Sequence, residues 1–263
     1  MSFQPVIPMS GYTGWAFLKR TMESQQKHYD ASPPNKREVD YFRANIAKVR
    51  NAEDLVSDRR LLRVALTAFG LEADINAKAF IRKILESDTS DPRSLANRLA
   101  DKHYAALAKT FDFNGASSKT AEPGFADALV ERFTARRFEA AIGETDESMR
   151  LAMNAEREIL ELAESGSSEN TKWFTMMGNK PLRRVFETAF GLPTGFANID
   201  IDQQLTMLKA KAHSRFGDDS LSQFTDTAKM QKLIRTYLVR DQVLSGNASW
   251  SPAQIAMQLL SPR

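Results

Sequence analysis

The spacing of apolar residues is helical along almost the whole chain. In KREVDYFRANIAKVR, which follows Asn35, the residues Val39, Phe42, Ile46 and Val49 recur at intervals of three, four and three. That spacing puts them on one face of an amphipathic helix. Trp15, Leu18 and Met22 predict an earlier helix over 14–28, which Ser32-Pro33-Pro34 breaks. Phe80, Ile81, Ile84 and Leu85 predict another, with Asn76 as N-cap, and Asp91-Pro92 is expected to open a single long one through RSLANRLADKHYAALAKTF. Phe125, Leu129 and Phe133 stand four apart in a helix that Gly143 can interrupt. Ala152, Ala155, Ile159 and Leu162 follow in the next, which the GSS at 166–168 ends. Met230, Leu233, Ile234, Tyr237 and Leu238 face one way in a helix opened by Asp226. Last comes a capping box, Ser251-Pro252-Ala253-Gln254, in front of Ile255, Met257, Leu259 and Leu260. Alternation with period two persists nowhere, so the expected fold is all-α, with about ten helices.

One of these patterns occurs twice. LLRVALTAFGL at 61–71 and LRRVFETAFGL at 182–192 align without a gap, and eight of the eleven positions are identical. Each reads as a short helix closed by a glycine in the left-handed conformation, with the following leucine folded back onto the helix end. Asn51 can cap the short turn AEDLVSD, and Asp58 the first copy of the repeated helix. In the second copy the next helix starts after a longer link, with Asp202 in the capping place before Leu205, Leu208 and Ala212. Such self-similarity predicts two divergent copies of one helical unit, packed as an irregular bundle. The expected divisions are a loose N-terminal arm at 1–12, a first unit at 13–112, a linker at 113–124 and a second unit at 125–263. The linker is placed where Gly, Ser and Pro cluster without period.

Composition narrows the chemistry. The 263 residues are 42% hydrophobic and 26% charged, the balance of an ordinary globular protein. The absence of cysteine excludes disulfides, thiolate nucleophiles and iron–sulfur clusters. Three scattered histidines, His28, His103 and His213, argue against a histidine metal site. No apolar run approaches the roughly 18 to 20 residues of a membrane span. The first residues lack a signal peptide's charged start and apolar core, so a cytoplasmic location is expected. Basic and acidic residues nearly cancel, 36 against 33, which gives little support to a nucleic-acid partner.

No constellation rises to a catalytic motif, and no catalytic residue, cofactor or metal ligand is assigned. The chain is expected not to be an enzyme. Neither glycine-rich phosphate loop occurs, and Asp200, Asp202, Asp218 and Asp219 read as caps and turn formers. His213-Ser214, adjacent on one helix, point to different faces. Arg59, Arg60 and Arg63 in one copy, and Arg183 and Arg184 in the other, put positive charge on the outer face of the repeated helix, most simply as local ion pairs. The methionines, Met149, Met153, Met176 and Met177 among them, read as core. Trp15 and Phe17 point to opposite faces of the first helix; with both faces apolar, that helix is either buried or docks onto a partner. The candidate partner-binding residues are thus Trp15, Phe17, Arg183 and Arg184.

GWAFLKRT at 14–21, REVDYFRANIAKV, the two AFGL helices, FEAAIGETDESMRLAM at 138–153 and KLIRTYLVRDQ at 232–242 together carry a family likeness. Over nearly its whole length the chain resembles the alphaproteobacterial domain-of-unknown-function family 1217, whose members are often encoded among flagellar genes. The resemblance implies an all-helical, non-enzymatic interaction or assembly protein accessory to the flagellum, with a flagellar component as protein partner. The rival readings are a helical nucleic-acid binder that uses its basic helix faces and an enzyme with an unrecognised site between the two copies.

Overall fold

A computed structural model describes residues 3–115 and 118–249. Among these the fold is all-α, with thirteen α-helices and no strand. The capping box at Ser251 and the apolar pattern from Ile255 to Leu260 lie outside the described residues. The chain forms two compact units. One gathers the residues up to Val6 with Thr21–Ala141, and the other gathers Ile7–Arg20 with the chain from Ile142 onward.

The first unit holds the end of α1 (Gly11–Asp30), then α2 (Pro33–Asn45), α3 (Ala52–Ser57), α4 (Arg59–Ala68), α5 (Lys78–Leu85), α6 (Leu95–Arg98) and α7 (His103–Phe111), and α8 (Phe125–Gly143) as far as Ala141. Pro33 and Pro34 begin α2, because proline is suited to a first helical turn whose amides lack partners in any case. The face read from the sequence, Val39, Phe42, Ile46 and Val49, is buried with Leu55, Leu62, Leu66, Ile81, Phe111 and Phe133. Asn51 and Asp58 cap α3 and α4 as expected; Asp58 Oδ1 accepts from the amides of Arg60 and Leu61 at 2.9 and 3.1 Å.

In the second unit the start of α1 joins α9 (Glu147–Glu164), α10 (Glu169–Gly178), α11 (Lys180–Phe190), α12 (Ile201–Phe216) and α13 (Thr227–Ser249). The second copy of the repeat, α11, packs against α9, α10, α12 and α13. Phe186 sits among Trp173, Phe190 and Phe224 with ring centroids 5.4 to 5.7 Å apart, each pair edge-on, the geometry that aromatic quadrupoles favour.

The two copies match beyond their identical letters. The capping residues Asp58 and Asn179 have the same backbone angles, φ −91° and ψ 102°. At the other end Gly70 and Gly191 take φ 73° and 63°. The amides of Leu71 and Leu192 then reach back to the carbonyls of Leu66 and Glu187, each at 2.9 Å, which is the Schellman closure. A short helix precedes each copy, and a 3-10 turn and another helix follow it.

Several expectations need correction. Ser32-Pro33-Pro34, read as a breaker, is also the start of α2. The N-cap of α5 is Ala77, not Asn76, whose side chain instead accepts from Arg59 at 3.1 Å. The N-cap of α12 is Asp200, which holds the amides of Asp202 and Gln203, so Asp202 lies in the first turn. The long helix expected from Asp91-Pro92 is two pieces, α6 and α7. The chain turns at Leu99, and Lys102 Nζ binds the Asn97 and Leu99 carbonyls left over at the end of α6. The 1–12 arm is not loose where described: Pro5 is buried, and Val6 exchanges two hydrogen bonds with the Gln25 side chain, at 2.7 and 3.2 Å. In the expected linker, Ser118 and Thr120 both donate to the Val49 carbonyl, at 3.1 and 2.6 Å. The unit boundaries accordingly fall inside α1 and α8 rather than at 12/13 and 113–124, because a helix can be continuous through a change in the surface it packs on.

Candidate functional site

Trp15, expected to face a partner, is 5% exposed and belongs to the second unit's core, with the Lys19 ammonium 5.5 Å above its ring. Phe17 is half-buried. Arg183 is engaged on three sides, by Glu187 at 2.7 Å, Gln204 at 3.1 Å and the Phe196 ring at 5.8 Å. Arg184 is 56% exposed and faces Asp241 at 4.0 Å. In the first copy Arg63 pairs with Glu38 at 2.8 Å, and the Arg60 guanidinium lies 3.6 Å over the Tyr41 ring. The basic faces are therefore largely neutralised locally.

Two polar clusters in the second unit look chemical at first sight. In one, buried Lys172 Nζ meets Ser222 Oγ at 2.5 Å, the Ala163 carbonyl at 2.8 Å and Glu169 Oε1 at 3.2 Å. A serine beside a lysine can be a nucleophile and its base, but only if the amine is neutral. Here the Lys172 amine is already bonded to a carboxylate and a carbonyl oxygen. Glu169 also accepts from Ser222 Oγ and from the Leu221 amide at 2.6 Å. Burial raises its carboxyl pKa, but these donors and Lys172 outweigh it and leave the value below the usual glutamate range. The cluster is a clasp that fastens the 220–225 segment to the end of α9 and the start of α10. In the other, Ser148 donates to Asp241 at 2.5 Å beside Arg184, and buried Tyr237 is pushed above the ordinary tyrosine pKa by burial and then by Asp241. The high phenol value suits a buried neutral group, not a proton donor near neutrality. Among the described residues no group of three or more acidic or histidine side chains is placed to hold a metal ion, and no helix is long and apolar enough to cross a membrane.

A different feature stands out on α13. Its inner face, Leu233, Ile234, Tyr237 and Leu238, is buried, whereas Val239, Val243 and Leu244 are 45%, 56% and 61% exposed. Arg240 lies among them, its guanidinium packed against Gly191 so closely that a Cβ there would collide with it. Arg215 Nη2 reaches the Phe190 carbonyl at 3.4 Å, at the same end of α11. Burial, and then the charge of Arg240, pull the Arg215 pKa below its usual value.

A family model described as a protein of unknown function, DUF1217, matches residues 68–230. The chain belongs to that family. It is also similar to a crystal structure of a protein from Agrobacterium tumefaciens, at 27% identity and a TM-score of 0.73, over 90% of this chain and 97% of that one. No curated protein matches the chain. The DUF1217 match opens on the Ala68-Phe69-Gly70-Leu71 closure of the first copy and takes in the second copy whole. The exposed end of α13 lies beyond it. Sequence reading missed that face because Met230 to Leu238 already accounted for one apolar stripe. The signal was a second stripe, Val239 and Val243 four apart on the other side of the same helix.

Proposed function

We propose that this DUF1217 protein is a non-enzymatic interaction protein that serves flagellar assembly or function through a protein partner. The observation that carries the reading is the stretch 239–244 of α13, where two valines and a leucine stand exposed beside an arginine. Contiguous exposed apolar side chains are one mark of a protein-interaction surface. The polar clusters support the same reading, since Lys172, Glu169 and Ser222 are committed to mutual bonds that hold the chain together. The flagellar context comes from the company that genes of this family keep.

The test is complementation of a deletion strain on soft agar. Loss of the gene is expected to abolish or reduce swimming, with the wild-type chain and Ser222→Ala both restoring it and Val243→Asp not restoring it. Undiminished swimming of the deletion strain would remove the flagellar role. Failure of Ser222→Ala in a folded, normally abundant protein would favour chemistry at the clasp instead.

A further inference from the structure

The end of α13 joins two kinds of unfinished surface. Val243 stands four residues after Val239 and three after Arg240, and Leu244 four after Arg240, so each is a helical neighbour of the next around this stretch. The apolar members are among the most exposed large hydrophobics described. At the adjoining end of α11, Arg215 and Arg240 come together over Phe190 and Gly191. Neither guanidinium pairs with a carboxylate among the described residues. Asp241, the acid next in sequence, is taken by Ser148 at 2.5 Å and faces Arg184 at 4.0 Å. Two like charges held together oppose each other, and an anion beside both relieves the conflict.

We propose that this surface docks an acidic amphipathic helix of a protein partner. Its apolar side chains cover Val239, Val243 and Leu244, and an Asp or Glu carboxylate lies against Arg240 and Arg215. The inference rests on the interaction role above and names the chemistry of the partner. A free phosphate would satisfy the arginines and leave the valines and leucine in water, whereas an amphipathic helix covers both. The chain's own residues 250–263, WSPAQIAMQLLSPR, carry apolar side chains but no acidic side chain to set against the two arginines.

A photo-crosslinking residue, p-benzoylphenylalanine, placed at Val243 of the full chain in living cells tests this, with parallel probes at Leu160 and Ile201, which are 40% and 53% exposed. The Val243 probe is expected to join a segment of another protein that carries Asp or Glu within one turn of two or more apolar residues. Arg240→Glu should lower that yield by about tenfold or more, and placing Arg at the partner's acidic position should restore it. Leu244→Asp, with the arginines intact, serves the same purpose should Arg240→Glu unfold the protein. An adduct with a second copy, with residues 250–263 or with a segment lacking acid overturns the proposal, as does a yield indifferent to both substitutions. Adducts from Leu160 or Ile201 without one from Val243 overturn this surface but leave the interaction role standing. No adduct at any of the three counts against both.

Discussion

Replacing Gly70 and Gly191 by alanine, one at a time, separates what the doubled closure demands from what each copy has built around it. Both glycines sit in the left-handed region, at φ 73° and 63°. An L-residue there costs about 1–2 kcal/mol through its Cβ and the following carbonyl. The stiffer unfolded chain of alanine offsets about 0.4–1 kcal/mol of that. A net loss near 1 kcal/mol is therefore expected at both sites, roughly the intrinsic preference for glycine. The surroundings then differ. A Cβ at Gly70 meets the Arg136 guanidinium at 3.4 Å, an ordinary contact, whereas at Gly191 it collides with Arg240. Arg240 must leave the end of α11, which forfeits roughly 0.3–1 kcal/mol of attraction to the C-terminal carbonyls. Gly191→Ala should thus cost more than Gly70→Ala by about that increment, and Arg240→Ala should erase the difference. Urea denaturation reads this unit by unit. Trp173, 5.5 Å from Phe186, reports the second by fluorescence; circular dichroism reads the helices of both units, so the first, which has no tryptophan at 21–141, is followed as the part of the ellipticity loss that fluorescence does not share. Equal costs at the two glycines, or a Gly191→Ala penalty that survives Arg240→Ala, would refute the reasoning.

Two further outcomes follow from the same geometry. Asp58 holds two amides and the Tyr41 hydroxyl, the last at 2.6 Å, whereas Asn179 holds the amide of Leu182. Asp58→Ala should therefore cost about 1.5–2 kcal/mol and Asn179→Ala about 0.5–1 kcal/mol, read as shifts of the urea midpoint; equal costs or the reverse order would contradict the argument from the bonds each cap holds. Glu169 has its carboxyl pKa lowered by folding from the ordinary 4.5. It contributes stability that is complete above that value and is lost as pH falls through the lower, folded one. Glu169→Gln should flatten this acid limb in the second unit's denaturation midpoints between pH 7 and 3, and parallel curves for the two proteins would show that the clasp carries no such linkage.

The repeat shows how far local sequence reaches. LLRVALTAFGL and LRRVFETAFGL specified their helices, the glycine closures and the leucines that fold back, because each depends on residues within one or two turns. The caps at Asn51, Asp58 and Asp226 were legible for the same reason: an Asn or Asp oxygen needs only the amides two or three residues on. The buried stripe of Val39, Phe42, Ile46 and Val49 followed from helical spacing alone.

What depended on distant residues was not legible. Asn76 looks like a cap, yet Arg59, seventeen residues earlier, takes its side chain. Trp15 looks available to a partner and is core, because periodicity says which residues share a face and not what lies opposite that face. Residues 113–124 read as a linker by composition, while Ser118 and Thr120 are fixed by a carbonyl about seventy residues away. The meeting of Arg215 with Arg240 at Gly191 has no trace in spacing, since the ends of two helices and the side of a third must converge to make it. The sequence determined the helices and their closures through short-range bonds; only the packed chain decided which charges stayed without carboxylates and which apolar side chains stayed in water, because both depend on residues that are neighbours in space and strangers along the chain.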